Sequence, residues 1–473
     1  MKVALFAVAG SYSHTNLAIR ALRPPLVGAG FDVALIEATL GDTDAALTDA
    51  LIAENADIYG FSCYIWNIKR MLSAAADLRA LRPDAKIIFG GPEVSFDPER
   101  FDDCSFIDCI VCGEGERAMT EVCSAFRDGA TPPRIVISNE STLTDGILYS
   151  PDEPRKKLMY YESSRGCPYS CAYCLSSRAR GVKAKSVEQT LSELYEFEKF
   201  EGDAVVKLVD RTFNFDNRRA NEILRGLLDE KYTKEYHLEV CAPLFDEESF
   251  ELISKFPEGK LRLEVGLQST NQKTLALCAR HIDPEAVLAA CRRIVTTSKT
   301  TLHLDLICGL PGDTLNDIAN AFDRAYFACS ELQVGFLKLL HGTSLRRDAE
   351  KLGIKYRSEP PYEVLATNEL SYEELRSLHE ISDLTERFGD KFSRTLPYLL
   401  SLTTPFAFFD GLRRHIEKTD GRKIRKIGQS DAFSLLYTYG ISLGADEETL
   451  SSDLHADFSE HEVRGKFMKR KEK

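Results

Sequence analysis

The sequence predicts an α/β protein in three parts: an N-terminal doubly wound, flavodoxin-like parallel sheet, a partial (βα)6 TIM-type barrel, and a mainly helical C-terminal region. Three observations predict it. Short runs that are apolar throughout recur from Val3 to Val111, separated by stretches with Ala and Leu at helical spacing, which is the pattern of a parallel sheet covered on both faces. Six further strand-and-helix units follow between Leu158 and Leu339, which suits a partial barrel better than a full eight-unit one. From Leu345 onward the apolar spacing is helical, broken at Pro360-Pro361 and Pro405, and cysteine is absent.

In the first part, strands are expected at Val3 to Val8, Asp32 to Ile36, Ala56 to Ser62, Lys86 to Phe89 and Ile107 to Val111, with helices over Thr43 to Glu54 and Asn67 to Leu81. Ligands of such sheets bind beyond the carboxyl ends of the strands. Here those ends are four small-residue loops: Gly10 to His14, Ser62 to Asn67, Gly90 to Glu93 and Gly113 to Glu116. Gly90, Gly91, Gly113 and Gly115 would let a bulky flat ligand approach the backbone. From Gly129 to Arg155 the pattern dissolves into Pro, Gly, Ser, Thr and Asp, a linker or small hairpin. Strands then resume at Leu158 to Ser163, Ala204 to Val209, His237 to Cys241, Leu261 to Leu267, Thr301 to Cys308 and Gln333 to Leu339, with helices such as Val187 to Phe200 and Ala220 to Leu228 between them. The expected domains are residues 1–130, a linker 131–155, a barrel 156–342 and a helical region 343–473.

Composition narrows the function. At roughly 150 residues per domain, 473 residues suit three domains. Sixty basic against 73 acidic side chains give a net charge of −13, which disfavours general attraction to nucleic acid or anionic lipid. No stretch approaches the roughly 18 apolar residues of a membrane span, and the opening MKVALFAVAG reads as a buried first strand, not a secretory core. Thirteen cysteines are far below the density of a small disulfide scaffold, so thiols in a cytoplasmic chain are expected. The basic tail RGKFMKRKEK reads as a solvated terminus.

The strongest chemical signal is Cys167-Pro-Tyr-Ser-Cys171-Ala-Tyr-Cys174, directly after YYESSRG. Three thiolates on one loop can converge on a soft metal centre. Structural zinc and ordinary iron–sulfur sites recruit four protein ligands, and the next cysteine is Cys241 on another predicted strand. A four-iron four-sulfur cluster with one open iron fits this count; incidental thiols or a zinc site completed from afar are the plain alternatives. Cys109 and Cys112 differ in strand parity, so they point to opposite sheet faces and, with Cys104, read as small buried hydrophobes. Trp66, the single tryptophan, reads as core or as packing against a ligand. His303 and Asp305 share parity, as a polar core pair or as pocket residues.

With its aromatic residue before the last cysteine, this loop resembles the radical S-adenosylmethionine (SAM) superfamily. The resemblance implies that Cys167, Cys171 and Cys174 hold a [4Fe-4S] cluster and that the open iron is chelated by the amino and carboxylate groups of S-adenosyl-L-methionine. Electron transfer then yields a 5′-deoxyadenosyl radical that abstracts hydrogen. It further implies that Tyr173 packs near the adenine. Asp210, in Lys207-Leu-Val-Asp-Arg-Thr-Phe-Asn214, would meet the methionine amine, although the usual Gly-Gly-Glu is absent there. Glu264-Val-Gly-Leu-Gln-Ser269 and Asp305-Leu-Ile-Cys-Gly-Leu-Pro-Gly-Asp313 resemble the fourth and fifth strands of the superfamily, which places Glu264, Gln268, Asp305 and Gly309 at the cofactor.

The first domain resembles the cobalamin-binding domain that precedes the barrel in one large subclass, through Gly90-Gly-Pro-Glu93 and Gly113-Glu-Gly-Glu116. Ser11-Tyr-Ser-His-Thr-Asn-Leu-Ala-Ile-Arg20, Gly60-Phe-Ser-Cys-Tyr-Ile-Trp-Asn67, Gly335-Phe-Leu-Lys and Pro360-Pro-Tyr-Glu-Val-Leu365 are similar to a subgroup with an uncharacterised C-terminal domain. Cobalamin would then be held by Ser11, Ser62, Gly90, Gly91, Gly113 and Glu114. His14 stands where Asp-x-His-x-x-Gly modules carry the cobalt ligand, with Tyr12 and Leu17 replacing Asp and Gly. The implied activity is cobalamin-dependent radical SAM methyl transfer to an unactivated carbon, drawing electrons from a reductant such as flavodoxin or ferredoxin and acting on a small molecule or peptide. A non-methylating rearrangement or redox step, and a sensor with an inert barrel, are the alternatives.

Overall fold

Six consecutive buried residues, Val3 to Val8, leave strand β1 (Lys2–Ala9) no solvent face, so it must lie inside a sheet covered on both sides. The computed structural model, which describes residues 1–138, 142–150, 157–178, 181–389, 391–419, 424 and 427–460, puts it there. β1 pairs in parallel with β2 (Asp32–Thr39) on one side and β3 (Ile58–Ser62) on the other. β4 (Lys86–Gly90), β5 (Cys109–Cys112) and β6 (Ile135–Ile137) extend the sheet in parallel, giving the order β2-β1-β3-β4-β5-β6.

One face packs Phe6, Phe61 and Phe89 on Leu47, Leu51, Met71 and Ala75; the other packs Leu5, Ile88 and Val111 on Met119 and Val122. Cys112 belongs to the first core and Cys109 to the second, as their parity predicts. Two of the covering helices, Leu17–Gly28 and Asp44–Glu54, start where a side chain satisfies an open amide: Asn16 accepts from Ile19 N and Thr43 from Ala46 N. β6 departs from the sequence reading, since it takes three residues of the expected linker and pairs them with β5. The rest of that linker includes 139–141 and 151–156, outside the described residues, as is the basic tail.

A second six-stranded sheet contains β7 (Leu158–Tyr161), β10 (Val205–Leu208), β11 (Glu235–Val240), β12 (Leu261–Gln268), β13 (Thr301–Cys308) and β14 (Glu331–Phe336), in the order β14-β13-β12-β11-β10-β7. β7, β10 and β11 pair in parallel, as do β13 and β14. A small antiparallel hairpin, β8 (Ser164–Gly166) with β9 (Val182–Ala184), brackets the cysteine loop.

The chain divides into two compact units. The first comprises Met1–Leu263, Lys338–Asp348 and Arg357–Glu363; the second begins at Glu264 within β12 and takes the remainder. In the second unit, helices Tyr372–Phe388, Pro405–Thr419, Gln429–Ser442 and Glu447–Glu460 give the helical region its character. Asp457, a fully buried carboxylate in the last of these, ties it to the start of the short helix Thr395–Leu400 by accepting the Arg394 and Thr395 amides at 3.1 and 3.0 Å and the Thr395 hydroxyl at 2.7 Å. Among the described residues no helix is long and apolar enough to cross a membrane.

Candidate functional site

In the first unit, β2 and β3 flank β1, so the chain switches direction there and opens a crevice at the carboxyl ends of the strands. Asn67 shapes its floor. This fully buried amide donates to Val8 O at 3.1 Å and Ser62 O at 3.0 Å and accepts the Tyr64 amide at 2.8 Å, tying the end of β1 to the end of β3. Gly91 adopts φ +107°, and a Cβ there would stand 2.6 Å from Cys63 O, so only glycine lets the loop after β4 close on the loop after β3.

These loops wall a cavity of about 500 Å³. Ser62, Gly90, Gly91, Gly113 and Glu114, all expected at a cofactor, line it together. Gly60, Ile88 and Met119 form its deeper, apolar part, and Glu162, Ser164, Arg165, Gly166 and Arg211 complete it within the same unit. Ser11 and His14 have other settings. Ser11 is exposed, with its hydroxyl 2.8 Å from that of Ser13, and His14 Nδ1 lies 2.6 Å from the Tyr160 hydroxyl. Trp66 corrects the core reading. It is 49% exposed, stacks on Tyr64 with ring centroids 4.4 Å apart, and donates its Nε1–H to Val8 O. Tyr64 itself lines the cavity, and burial pushes its phenol pKa up.

Gly90-Gly-Pro-Glu93 is pinned from behind. Glu93 is 2% exposed, pairs with Arg100 at 2.8 Å and accepts from the Tyr362 hydroxyl. Arg100 also donates to Tyr362 at 2.9 Å and lies 2.8 Å from His341 Nε2. Tyr362 itself is buried at this hub.

The cysteine loop follows β8. Cys171 is buried, while Cys167, Tyr173 and Cys174 are half-buried. Thr212 Oγ1 lies 3.4 Å from Cys167 Sγ, Tyr169 donates to Cys241 Sγ at 3.1 Å, and Leu345 N donates to Ala172 O at 3.0 Å. Asp210 sits at the base of the loop. Fully buried, it accepts the Ser163 and Ser164 amides and the Ser163 hydroxyl; burial raises its pKa and these bonds pull it back. Arg219 braces the same turn, donating to Ser163 Oγ at 3.0 Å.

All thirteen cysteines are thiols. Burial pushes Cys109 and Cys123 up to about 12, so these stay protonated and inert. Among the described residues no three His, Cys, Asp or Glu side chains converge as a ligand set for a single ion. A cubane cluster takes each thiolate on a different iron and does not need such convergence.

In the second unit, Glu264 and Asp305 occupy half-buried positions of β12 and β13. Gln268 takes φ +70°, and its Oε1 is buried without a hydrogen-bond partner. Gly309 has φ +88°, and Asp313, which accepts from Ser269 Oγ at 3.0 Å, is pushed up to about 6 by burial.

Sequence reasoning missed Tyr64, Glu162, Arg165 and Arg211. The available signal was the acid and base three residues apart in Glu162-Ser-Ser-Arg165, immediately before the cysteines.

Three families match this chain: the B12 binding domain over residues 3–123, the radical SAM superfamily over 161–325, and a protein of unknown function (DUF4080) over 350–472. An uncharacterized methyltransferase from Pyrococcus horikoshii is 24% identical over 316 residues, 61% of this chain and 68% of that protein. Other curated relatives match over 22% to 45% of their own length. Among solved structures, the radical SAM methyltransferase TsrM from Kitasatospora setae superposes with TM-score 0.63 at 17% identity, covering 76% of this chain and 79% of that one. The cobalamin-dependent radical enzyme OxsB superposes with TM-score 0.62 at 14% identity, covering 98% and 82%. Both likenesses are of fold.

Proposed function

We propose that this chain, a member of the radical SAM superfamily with a B12 binding domain ahead of the superfamily's own, is a cobalamin-dependent radical SAM methyltransferase acting on an unactivated carbon. One observation carries the reading: Glu162, Arg165 and Gly166 line the cavity at the end of the first sheet, and Gly166 is the residue before Cys167, so the two cofactor sites share one wall. The methyltransferase names of the relatives support it.

The residues fit the implied groups. A glycine-backed, largely apolar cavity with a few polar groups at its rim suits a corrin, three thiols on one held loop suit a cluster with an open iron, and the unpartnered Gln268 Oε1 suits a polar group of SAM. When bound, the cluster supplies an electron to the sulfonium and cobalamin carries the methyl group.

Cys167, Cys171 and Cys174 are assigned to the cluster. Ser62, Gly90, Gly91, Gly113 and Glu114 are assigned to cobalamin, with Ile88 and Met119 excluding water from the deeper cavity. Ser11 and His14 lie outside its wall. Tyr173 in the first unit, and Glu264, Gln268, Asp305 and Gly309 in the second, keep the SAM assignment. Asp210 acts by holding the turn at Ser163. We assign residues 1–130, together with strand β6 from the expected linker 131–155, to the cobalamin domain, 156–342 to the SAM domain and 343–473 to the helical domain. Thirteen thiols suit the reducing cytoplasm, where a flavodoxin or ferredoxin would deliver electrons.

Anaerobic reconstitution tests the reading: about four irons per chain are expected, lost in Cys167→Ala. Methyl-labelled SAM should then place label on cobalt or on product. Uptake of zinc alone, or deoxyadenosine release without any label transfer, would overturn it.

A further inference from the structure

Arg165 lies in β8, two residues before Cys167, and its guanidinium is committed to three carboxylates. Its Nε and Nη2 hold Glu162 at 2.9 and 2.6 Å, Nη1 holds Glu114 at 2.5 Å, and Nη2 also holds Glu116 at 2.7 Å. Glu162 follows β7, whereas Glu114 ends the loop after β5, the loop that supplies Gly113 to the cavity, and Glu116 stands in the first turn of the helix Gly115–Arg127 that follows it. The group is mostly shielded, with Arg165 19% exposed and Glu116 12%. One cation among three carboxylates is an unbalanced arrangement. Without it, Glu114 and Glu116 would repel Glu162 across a partly dry gap, and the β5 loop would separate from the strand that enters the cysteine loop.

We propose that Arg165 is a positioning residue that couples the two cofactor sites, so that filling the cavity steadies the cysteine loop. The proposal rests on the reading of the cavity as the cobalamin site. A ligand that presses Gly113 and Glu114 into place presses Glu114 and Glu116 onto Arg165, and Arg165 is joined by two peptide units to the first cluster thiol. A ligand that stabilises one end of this link must be favoured by occupation of the other.

Iron release to a chelator, followed anaerobically on the cluster-loaded full chain with and without saturating hydroxocobalamin, measures the coupling without any turnover. Hydroxocobalamin is expected to slow iron loss by about fivefold or more in the parent protein. In Arg165→Met, and independently in the Glu114→Gln/Glu116→Gln double variant, the two rates should become equal at full hydroxocobalamin occupancy, with Arg165→Lys recovering part of the protection. A purely structural clamp would raise both rates and keep their ratio, and a ratio preserved in the variants overturns the proposal. Absorption spectra report occupancy throughout, so a parent protein that binds no hydroxocobalamin marks failure of the cobalamin reading itself.

Discussion

Asp210 grips Ser163 with both carboxylate oxygens: Oδ1 accepts its amide at 2.8 Å, and Oδ2 accepts its hydroxyl. The same Oδ1 takes the Ser164 amide at 2.9 Å. Asp210→Ala strands these buried donors, each at about 1–3 kcal/mol, and should lower both urea-unfolding stability and the iron retained per chain. Asp210→Asn, which keeps one acceptor oxygen, should retain more of both. Weakened SAM binding in Asp210→Ala at unchanged stability would assign the residue to the ligand instead.

The hub behind Gly90 to Glu93 should show a graded response. Tyr362→Phe removes one donor from Glu93, and about 1 kcal/mol of stability should go with it. Glu93→Ala leaves Arg100 in a half-buried place without its carboxylate, at about 3 kcal/mol. Denaturant midpoints at constant slope check the order.

Asp313 should make the protein acid-favoured over a narrow window. Its folded pKa of about 6 lies above the ordinary carboxyl value. Between about pH 4 and that value the folded chain holds a proton that the unfolded chain has released, so this contribution is fully present at the acid end and lost as pH rises through about 6. Asp313→Asn should flatten the slope and gain about 2–3 kcal/mol at neutral pH, read from unfolding curves across the window.

His14→Ala should leave the spectrum of bound cob(II)alamin unchanged, because the imidazole meets Tyr160 and lies outside the cavity wall. Loss of nitrogen splitting in the electron paramagnetic resonance signal would instead mark His14 as a cobalt ligand.

What could be read in the sequence followed local periodicity. The central strands β1, β3 and β4 announce themselves because both faces are buried, and the opposite burial of Cys109 and Cys112 follows from parity alone. β6 hides because three residues between prolines and polar turns carry no period, and only pairing with β5 makes them a strand. The helix Leu17–Gly28 hides because Pro24 and Pro25 sit inside it. At the site, the cysteines and glycine loops stand out as motifs. Arg165 does not, since two of its partners lie 49 and 51 residues away and no local rule joins them. Trp66 misled for a related reason: hydrophobicity favours burial, but its ring stacks on Tyr64 at the surface, satisfied by a single bond to Val8.

Asn67 sets how this crevice could be re-engineered. Its amide spans Val8, Ser62 and Tyr64 in one fixed pattern, so the segment from Ser62 to Asn67 has a set length. An inserted residue would strip the Ser62 carbonyl and the Tyr64 amide of this shared partner. Diversification at this edge is therefore confined to changing side chains at Tyr64, Ile65 and Trp66, so a library for altered ligand preference should randomise those three positions at constant loop length.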